Sequence, residues 1–131
     1  MNLFAYGTLI EPRVLHRVTG LTPGYTSGTL VGFRRLAFEN ESFPGIVSTT
    51  TQDAVKGRIF YTLSQQAWPR LDAFESEIYR RIEVEVLAST NEIIRAETYV
   101  VKDAYQHLLA DRDWDFDHFL SHHLDQYLNE D

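Results

Sequence analysis

The chain has 131 residues, 44% of them hydrophobic and none a cysteine, and its nineteen acidic and twelve basic side chains give a formal charge of −7. That length suits a single domain over residues 1–131. The missing thiols exclude disulfides, thiolate metal sites and a cysteine nucleophile, and the negative charge opposes a nucleic-acid backbone. No run reaches the roughly 18 apolar residues of a membrane span, and Met1-Asn2-Leu3-Phe4 has no basic region before a long apolar stretch, so the expectation is a cytoplasmic protein with neither nucleic acid nor membrane as partner.

Asn2 to Tyr6 reads as a short buried strand that breaks at Gly7-Thr8-Leu9, before Glu11-Pro12 opens a helix carrying Val14, Leu15 and Val18 on its apolar side and ending at Gly20. A strand, a glycine and a helix start together offer unpaired backbone N–H groups to an anion. Gly7 permits close approach or a positive φ there, and Thr8 adds a hydroxyl; a plain connection fits the same residues. From Gly24 to Phe38, glycines among β-formers predict one or two bent strands and a curved or barrel-like sheet. Residues 40–45 read as a loop, Ile46 to Thr51 as a strand, Thr50 to Val55 as a turn, and Val55 to Leu63 as a strand with Val55, Gly57, Ile59, Tyr61 and Leu63 on one face.

Ser64 is the expected N-cap of a helix with Ala67, Trp68, Leu71 and Phe74 on its apolar side, and Pro69 requires either that the regular helix start near Trp68 or that it begin with a loose turn. Glu75 stands beside that stripe, where the segment hands over to a strand. Desolvation and the negative end of the helix dipole would both raise its pKa towards the value of a general acid/base, while a solvated helix end explains the same position without chemistry. Ile82, Val84 and Val86 then alternate with Arg81, Glu83 and Glu85 in a half-exposed strand. After a turn at Asn91, Ile93 to Val101 forms another, with Ile94, Ala96, Thr98 and Val100 opposite Arg95, Glu97 and Tyr99. In the tail, Tyr105, Leu108 and Leu109 suggest a helical turn. Asp113 is the expected cap of a last helix whose stripe is Phe116, Phe119, Leu120, His123, Leu124, Tyr127 and Leu128, a stripe that suits packing on its own sheet and hence a monomer or weak homodimer. Six or seven strands and three or four helices make an α+β protein with a mainly antiparallel, curved sheet.

His118 and His122 are one turn apart, with Asp115 a turn earlier, but a polar helix face accounts for them without a metal. His16 has no acid or nucleophile beside it, no serine lies in a nucleophile elbow, and no glycine-rich phosphate motif is present, so neither a metal nor a cofactor is assigned.

Five ordered segments resemble a known family: Leu3-Phe4-Ala5-Tyr6-Gly7-Thr8-Leu9, Phe43-Pro44-Gly45-Ile46-Val47, Val55-Lys56-Gly57-Arg58-Ile59-Phe60, Leu71-Asp72-Ala73-Phe74-Glu75 and Tyr79-Arg80-Arg81. They resemble the gamma-glutamylcyclotransferase-like family, in the small branch related to gamma-glutamylamine cyclotransferase and the plant AIG2 proteins. The sequence departs from the family pattern at Ser76, where a glycine often follows the glutamate, and at Pro69 inside the helix; the tail after Asp103 lies outside the recognisable part. The resemblance implies a small, mainly antiparallel β-barrel flanked by short helices. It also implies cofactor-free cyclisation of a small-molecule gamma-glutamyl amine or gamma-glutamyl amino acid to 5-oxoproline. In that reading Glu75 is the catalytic general acid/base and Tyr6, Gly7, Thr8, Leu9 and Tyr79 bind the substrate. A binding protein that keeps the cavity without turning a ligand over is the alternative.

Overall fold

A computed structural model describes residues 1–50 and 52–128, so that Thr51, within the expected turn between Thr50 and Val55, lies outside the described residues. The strands are β1 (Leu3–Ala5), β2 (Tyr25–Val31), β3 (Phe33–Ala37), β4 (Pro44–Ser48), β5 (Ala54–Phe60), β6 (Tyr79–Ala88) and β7 (Ile93–Val101). The helices are α1 (Pro12–Thr19), α2 (Ala67–Glu75), α3 (Phe116–His122) and α4 (Leu124–Leu128), with 3₁₀ helices at Thr8–Ile10 and Asp103–Leu108. Five strands close a barrel in the order β1-β5-β2-β6-β7. Every pairing in it is antiparallel except β1 with β7, which is parallel and rests on Leu3 opposite Glu97. The expected curved, mainly antiparallel barrel with short helices around it is therefore the observed fold.

Two apolar clusters follow from strand alternation, since successive side chains point to opposite faces of a sheet. Phe4, Leu30, Val55, Ile59, Val84, Val86, Ala96 and Val100 make one, and Leu3, Ala5, Phe60, Tyr99 and Val101 join residues of α1, α2 and α3 in the other. β1 contributes to both, which is why it is buried throughout. Its fit depends on Gly57: a Cβ at that position would collide with the Ala5 carbonyl oxygen and come within 2.9 Å of the Phe4 ring. β3 and β4 form a separate hairpin, and the tail pairs with its outer edge through Ala37 N–H to Arg112 O at 2.9 Å and Ala110 N–H to Ala37 O at 2.7 Å.

The expected one or two bent strands between Gly24 and Phe38 are two, β2 and β3, divided at Gly32, whose φ is 89°. Several other local expectations are corrected. Pro44 and Gly45 belong to β4 and not to the preceding loop, because Pro44 opposes Ala37 at the end of the hairpin, where a residue without an N–H is tolerated. β5 ends at Phe60, which is itself buried, and Thr62 turns the chain at φ 55°. Gln66, not Ser64, precedes α2, with Ala67 N–H bonded to the Ser64 carbonyl at 3.1 Å; Pro69 is the helix's third residue, where no intrahelical partner for an N–H exists. α3 is capped by Asp115, whose carboxylate accepts from His118 N–H at 3.0 Å, while Asp113 pairs with Arg35 at 2.8 Å. The expected last helix breaks at His123, whose φ is −126°, and Leu124 starts a second helix.

Replacing Gly57 by alanine is expected to lower the unfolding free energy by about 1–3 kcal/mol, because backbone must move to admit the methyl group. Gly24→Ala, where the added Cβ meets nothing within 4 Å, serves as control and is expected to shift it by no more than about 1 kcal/mol. Equal effects in urea denaturation would contradict the close packing of β1 on β5.

Candidate active site

β1 emerges from the barrel into Tyr6 and Gly7, and α2 delivers Glu75 at its last residue; between them lies a cavity of about 180 Å³. Its buried part is formed by Tyr6, Gly7, Thr8, Leu9, Pro44, Tyr79 and Tyr99, and its partly exposed part by Phe43, Phe74, Glu75 and Tyr127. All six residues singled out from the sequence, Tyr6, Gly7, Thr8, Leu9, Glu75 and Tyr79, thus meet around one space.

Gly7 serves by close approach and not by a positive φ. Its φ is −129°, and a Cβ would stand 2.7 Å from the ring of Pro44, so the residue allows β4 to press against the loop. The amide N–H groups of Gly7, Thr8 and Leu9 donate no hydrogen bond to any other described residue. They open the Thr8–Ile10 turn, whose first amides have no intrahelical acceptor.

Glu75 faces these amides across a site of low polarity. Burial is the main cause, and the nearby Asp72 carboxylate the second, of a pKa pushed from the ordinary 4.5 up to about 8. The residue remains half-buried, in contact with solvent at the cavity mouth. Asp72 lies one helical turn before it and is itself served: Tyr99 donates its hydroxyl to Asp72 Oδ1 at 2.6 Å, and Arg81 Nη1 stands 3.7 Å from the same oxygen. Arg81 is further fixed 4.8 Å above the Trp68 ring and 3.7 Å from Glu97. The nearby cation thus stands close to Asp72 and Glu97, while its Nη1 is buried with no hydrogen-bond partner.

The tyrosines are walls held by main-chain acceptors. Tyr6 donates to the Tyr99 carbonyl at 2.6 Å and Tyr79 to the Pro44 carbonyl at 2.6 Å. Burial raises both phenols well above their usual range, so both stay neutral near pH 7. Arg35 holds the Tyr6 carbonyl at 2.9 Å while its guanidinium pairs with Asp113.

Ser76 closes α2 at φ 71° and ψ −171°, a conformation almost confined to glycine. The serine at that departure from the family pattern therefore carries strain, yet it keeps the turn that leads from Glu75 into β6.

Sequence reasoning missed Asp72 as a neighbour that acts on Glu75, although its i, i+3 spacing carried the signal. It also missed Tyr99, an aromatic on a strand face otherwise bearing Arg95 and Glu97, and Tyr127, which reaches the cavity from the tail. His118 and His122 stack with their rings 4.1 Å apart, and Asp115 is occupied as the α3 cap. No group of three or more metal-ligating side chains occurs among the described residues, and no helix there is long and apolar enough to cross a membrane.

Fold and site together define a small closed-barrel protein with a cavity between a glycine loop and a helix-borne carboxyl group. A family profile described as "Gamma-glutamyl cyclotransferase, AIG2-like" matches residues 3–116, and the chain belongs to that family. AIG2-like protein C of Arabidopsis thaliana is 32% identical over 128 residues, covering 97% of this chain and 73% of that protein. A second Arabidopsis thaliana protein, solved in solution, superposes with a TM-score of 0.74 at 27% identity over 98% of this chain and 77% of its own. A yeast gamma-glutamyl cyclotransferase described as specific to glutathione shares the fold, with a TM-score of 0.66 at 12% identity over 100% of this chain and 87% of its own.

Two measurements test this geometry. A carboxyl whose pKa is higher folded than unfolded holds its proton better in the native state, so its contribution is present below about pH 4.5 and is lost as pH rises through about 8. The wild-type stability, compared with Glu75→Gln, is therefore expected to fall by up to about 1.4 kcal/mol per pH unit between those limits; parallel curves would contradict the burial of Glu75. Ser76→Gly is expected to raise stability by about 0.5–2 kcal/mol, the relief of strain exceeding the added freedom of the unfolded chain. A destabilised Ser76→Gly would mean that the serine contributes contacts outweighing its strain.

Proposed function

We propose that the protein is a gamma-glutamylcyclotransferase that converts a gamma-glutamyl amine or gamma-glutamyl amino acid to 5-oxoproline and a free amine, with Glu75 as general acid/base. The observation that carries this reading is the pairing, across one cavity, of a carboxyl raised to about 8 with three undonated backbone amides.

In the proposed reaction the ionised Glu75 takes a proton from the substrate's α-ammonium group. The freed nitrogen attacks the γ-carbonyl carbon, forming the bond that closes the five-membered ring. As the intermediate collapses, Glu75 gives its proton to the leaving nitrogen, the bond from that carbon to it breaks, and the ionised Glu75 takes the second proton from the ring nitrogen, which leaves the lactam N–H and passes that proton to the released amine. Attack within one molecule already carries the advantage of proximity, equivalent to as much as about 10⁵–10⁸ M when well aligned, so no protein nucleophile is needed. The amides of Gly7, Thr8 and Leu9 hold the substrate carboxylate or the developing oxyanion. Tyr6 and Tyr79, fixed by their own hydrogen bonds and neutral, orient the substrate and transfer no proton. A pKa near 8 suits the exchange because the same group must accept from an ammonium and give to an amine.

Release of 5-oxoproline from gamma-glutamyl amides tests the reading. Glu75→Gln is expected to lower kcat by about 10²–10⁴-fold. For the wild type, kcat/KM is expected to rise about tenfold per pH unit below about pH 8, because only the ionised Glu75 can accept the proton. Analogues lacking the α-amine should be inert. Hydrolysis of such analogues would point to amide cleavage by water, and a thermal shift with gamma-glutamyl compounds but no 5-oxoproline would favour the binding protein.

A further inference from the structure

We propose that Arg35 and Arg58 are positioning residues for the Tyr6–Leu9 loop: they hold the carbonyl groups at its two ends outside the cavity, and so keep the amides of Gly7, Thr8 and Leu9 aimed into it, without touching the substrate. The inference rests on the cyclotransferase reading and concerns how the anion-holding loop of that reading is built.

A trans peptide unit points its C=O and its N–H in opposite directions, so fixing the carbonyl of one residue aims the amide of the next. The Tyr6 carbonyl accepts from Arg35 Nη1 at 2.9 Å, which turns the Gly7 N–H the other way. Inside the turn, the Gly7 carbonyl accepts from Ile10 N–H at 3.0 Å and the Thr8 carbonyl from Glu11 N–H at 3.3 Å, which aims the amides of Thr8 and Leu9. At the far end the Ile10 carbonyl accepts from Arg58 Nη1 at 3.0 Å. The turn thus makes its own inner bonds, and an arginine closes each end. Neither arginine lines the cavity.

Both side chains are themselves fixed. Arg35, on β3, lays Nε and Nη2 as a fork on the two Asp113 carboxylate oxygens, at 2.8 and 3.3 Å, which leaves Nη1 for the loop. Its guanidinium lies 5.6 Å from the centre of the Trp114 ring, and only 19% of its side chain is exposed. Arg58, on β5, stands opposite Ala5, the last residue of β1, and its guanidinium covers the Tyr25 ring at 4.4 Å. Asp113 balances the charge of Arg35, so what that arginine contributes is aim. A carbonyl that accepts from a guanidinium also polarises its peptide, and the N–H at the other end becomes a stronger donor. Arg34, the neighbour of Arg35, differs: half of its side chain is exposed, and it meets Asp111 at 3.4 Å.

The test follows methylamine release from gamma-glutamyl-methylamide, and its inhibition by added 5-oxoproline, in the wild type, Arg35→Gln, Arg58→Gln and the control Arg34→Gln. 5-Oxoproline carries both groups that the amides could hold, a carboxylate and the oxygen of the former γ-carbonyl. Its inhibition constant therefore reports on the amides, and that constant does not depend on the fraction of a variant that folds. The constant is expected to rise about tenfold or more in Arg35→Gln and in Arg58→Gln, and kcat/KM to fall by about 10²-fold, with Arg34→Gln within about twofold of the wild type. An unchanged constant in either of the first two variants overturns the proposal, and so does an active wild type that 5-oxoproline does not inhibit. If the wild type forms no 5-oxoproline from the methylamide, the cyclotransferase reading fails and takes this inference with it, an outcome distinct from turnover that the two arginines do not affect.

Discussion

A half-buried carboxyl group without a cation of its own is the constraint on which this structure turns. Glu75 ends α2, so its side chain is delivered to the cavity by a helix that packs on the barrel through Ala67, Trp68 and Leu71. Asp72, one turn earlier on the helix, takes the Tyr99 hydroxyl and the proximity of Arg81. The two acids thus divide the environment unequally. Asp72 receives a donor and a nearby cation, while Glu75 receives the desolvation and the repulsion of its neighbour. A pair of titratable groups with environments this different is the arrangement expected of a working acid/base, and the proposed chemistry needs little else from the protein.

The barrel makes that placement rigid through close contacts of backbone. Gly57 lets β1 lie on β5, and Gly7 lets Pro44 of the hairpin press against the loop. Gly45 likewise leaves room for Val101 and Phe38, where any side chain would collide. Of these, the Gly7–Pro44 contact lies in the wall of the cavity itself. Protein interiors packed this tightly have little freedom to adjust, so a change at a glycine remote from Glu75 is felt at the site. Tyr6 and Tyr79 add cross-links of the same kind, each tying one strand or loop to a carbonyl of another.

Much of this was legible in the sequence because it depended on period and on local chemistry. Alternation in β6 and β7 placed Ile82, Val84, Val86, Ala96, Thr98 and Val100 correctly, and the glycines among β-formers from Gly24 to Phe38 foretold a curved sheet. Glu11-Pro12 and Gly20 bounded α1 as expected, through a side-chain cap at one end and a left-handed residue at the other. The failures share a different cause. Ser64 and Asp113 had the chemistry of caps but were displaced by tertiary demands, in one case a turn ahead of the helix and in the other an ion pair with Arg35. Phe60 looked like an outward residue of a one-sided strand, and it is buried because helices cover that face of the barrel. Tyr99 and Tyr127 came to the site from strand and tail segments whose distance from Glu75 only the closed topology decides. Ser76 is an instructive mixture: the sequence marked it as a departure, and the backbone explains why glycine would be favoured there.

The measurement closest to the central claim is an NMR titration of the Glu75 side-chain carboxyl carbon in the free protein, assigned by comparison with Glu75→Gln. The account predicts a midpoint of about 8, far above the ordinary 4.5 of a glutamate. A Glu75 midpoint in the ordinary carboxylate range would mean that the group is solvated or paired, and it would remove the physical basis for assigning it the proton transfers.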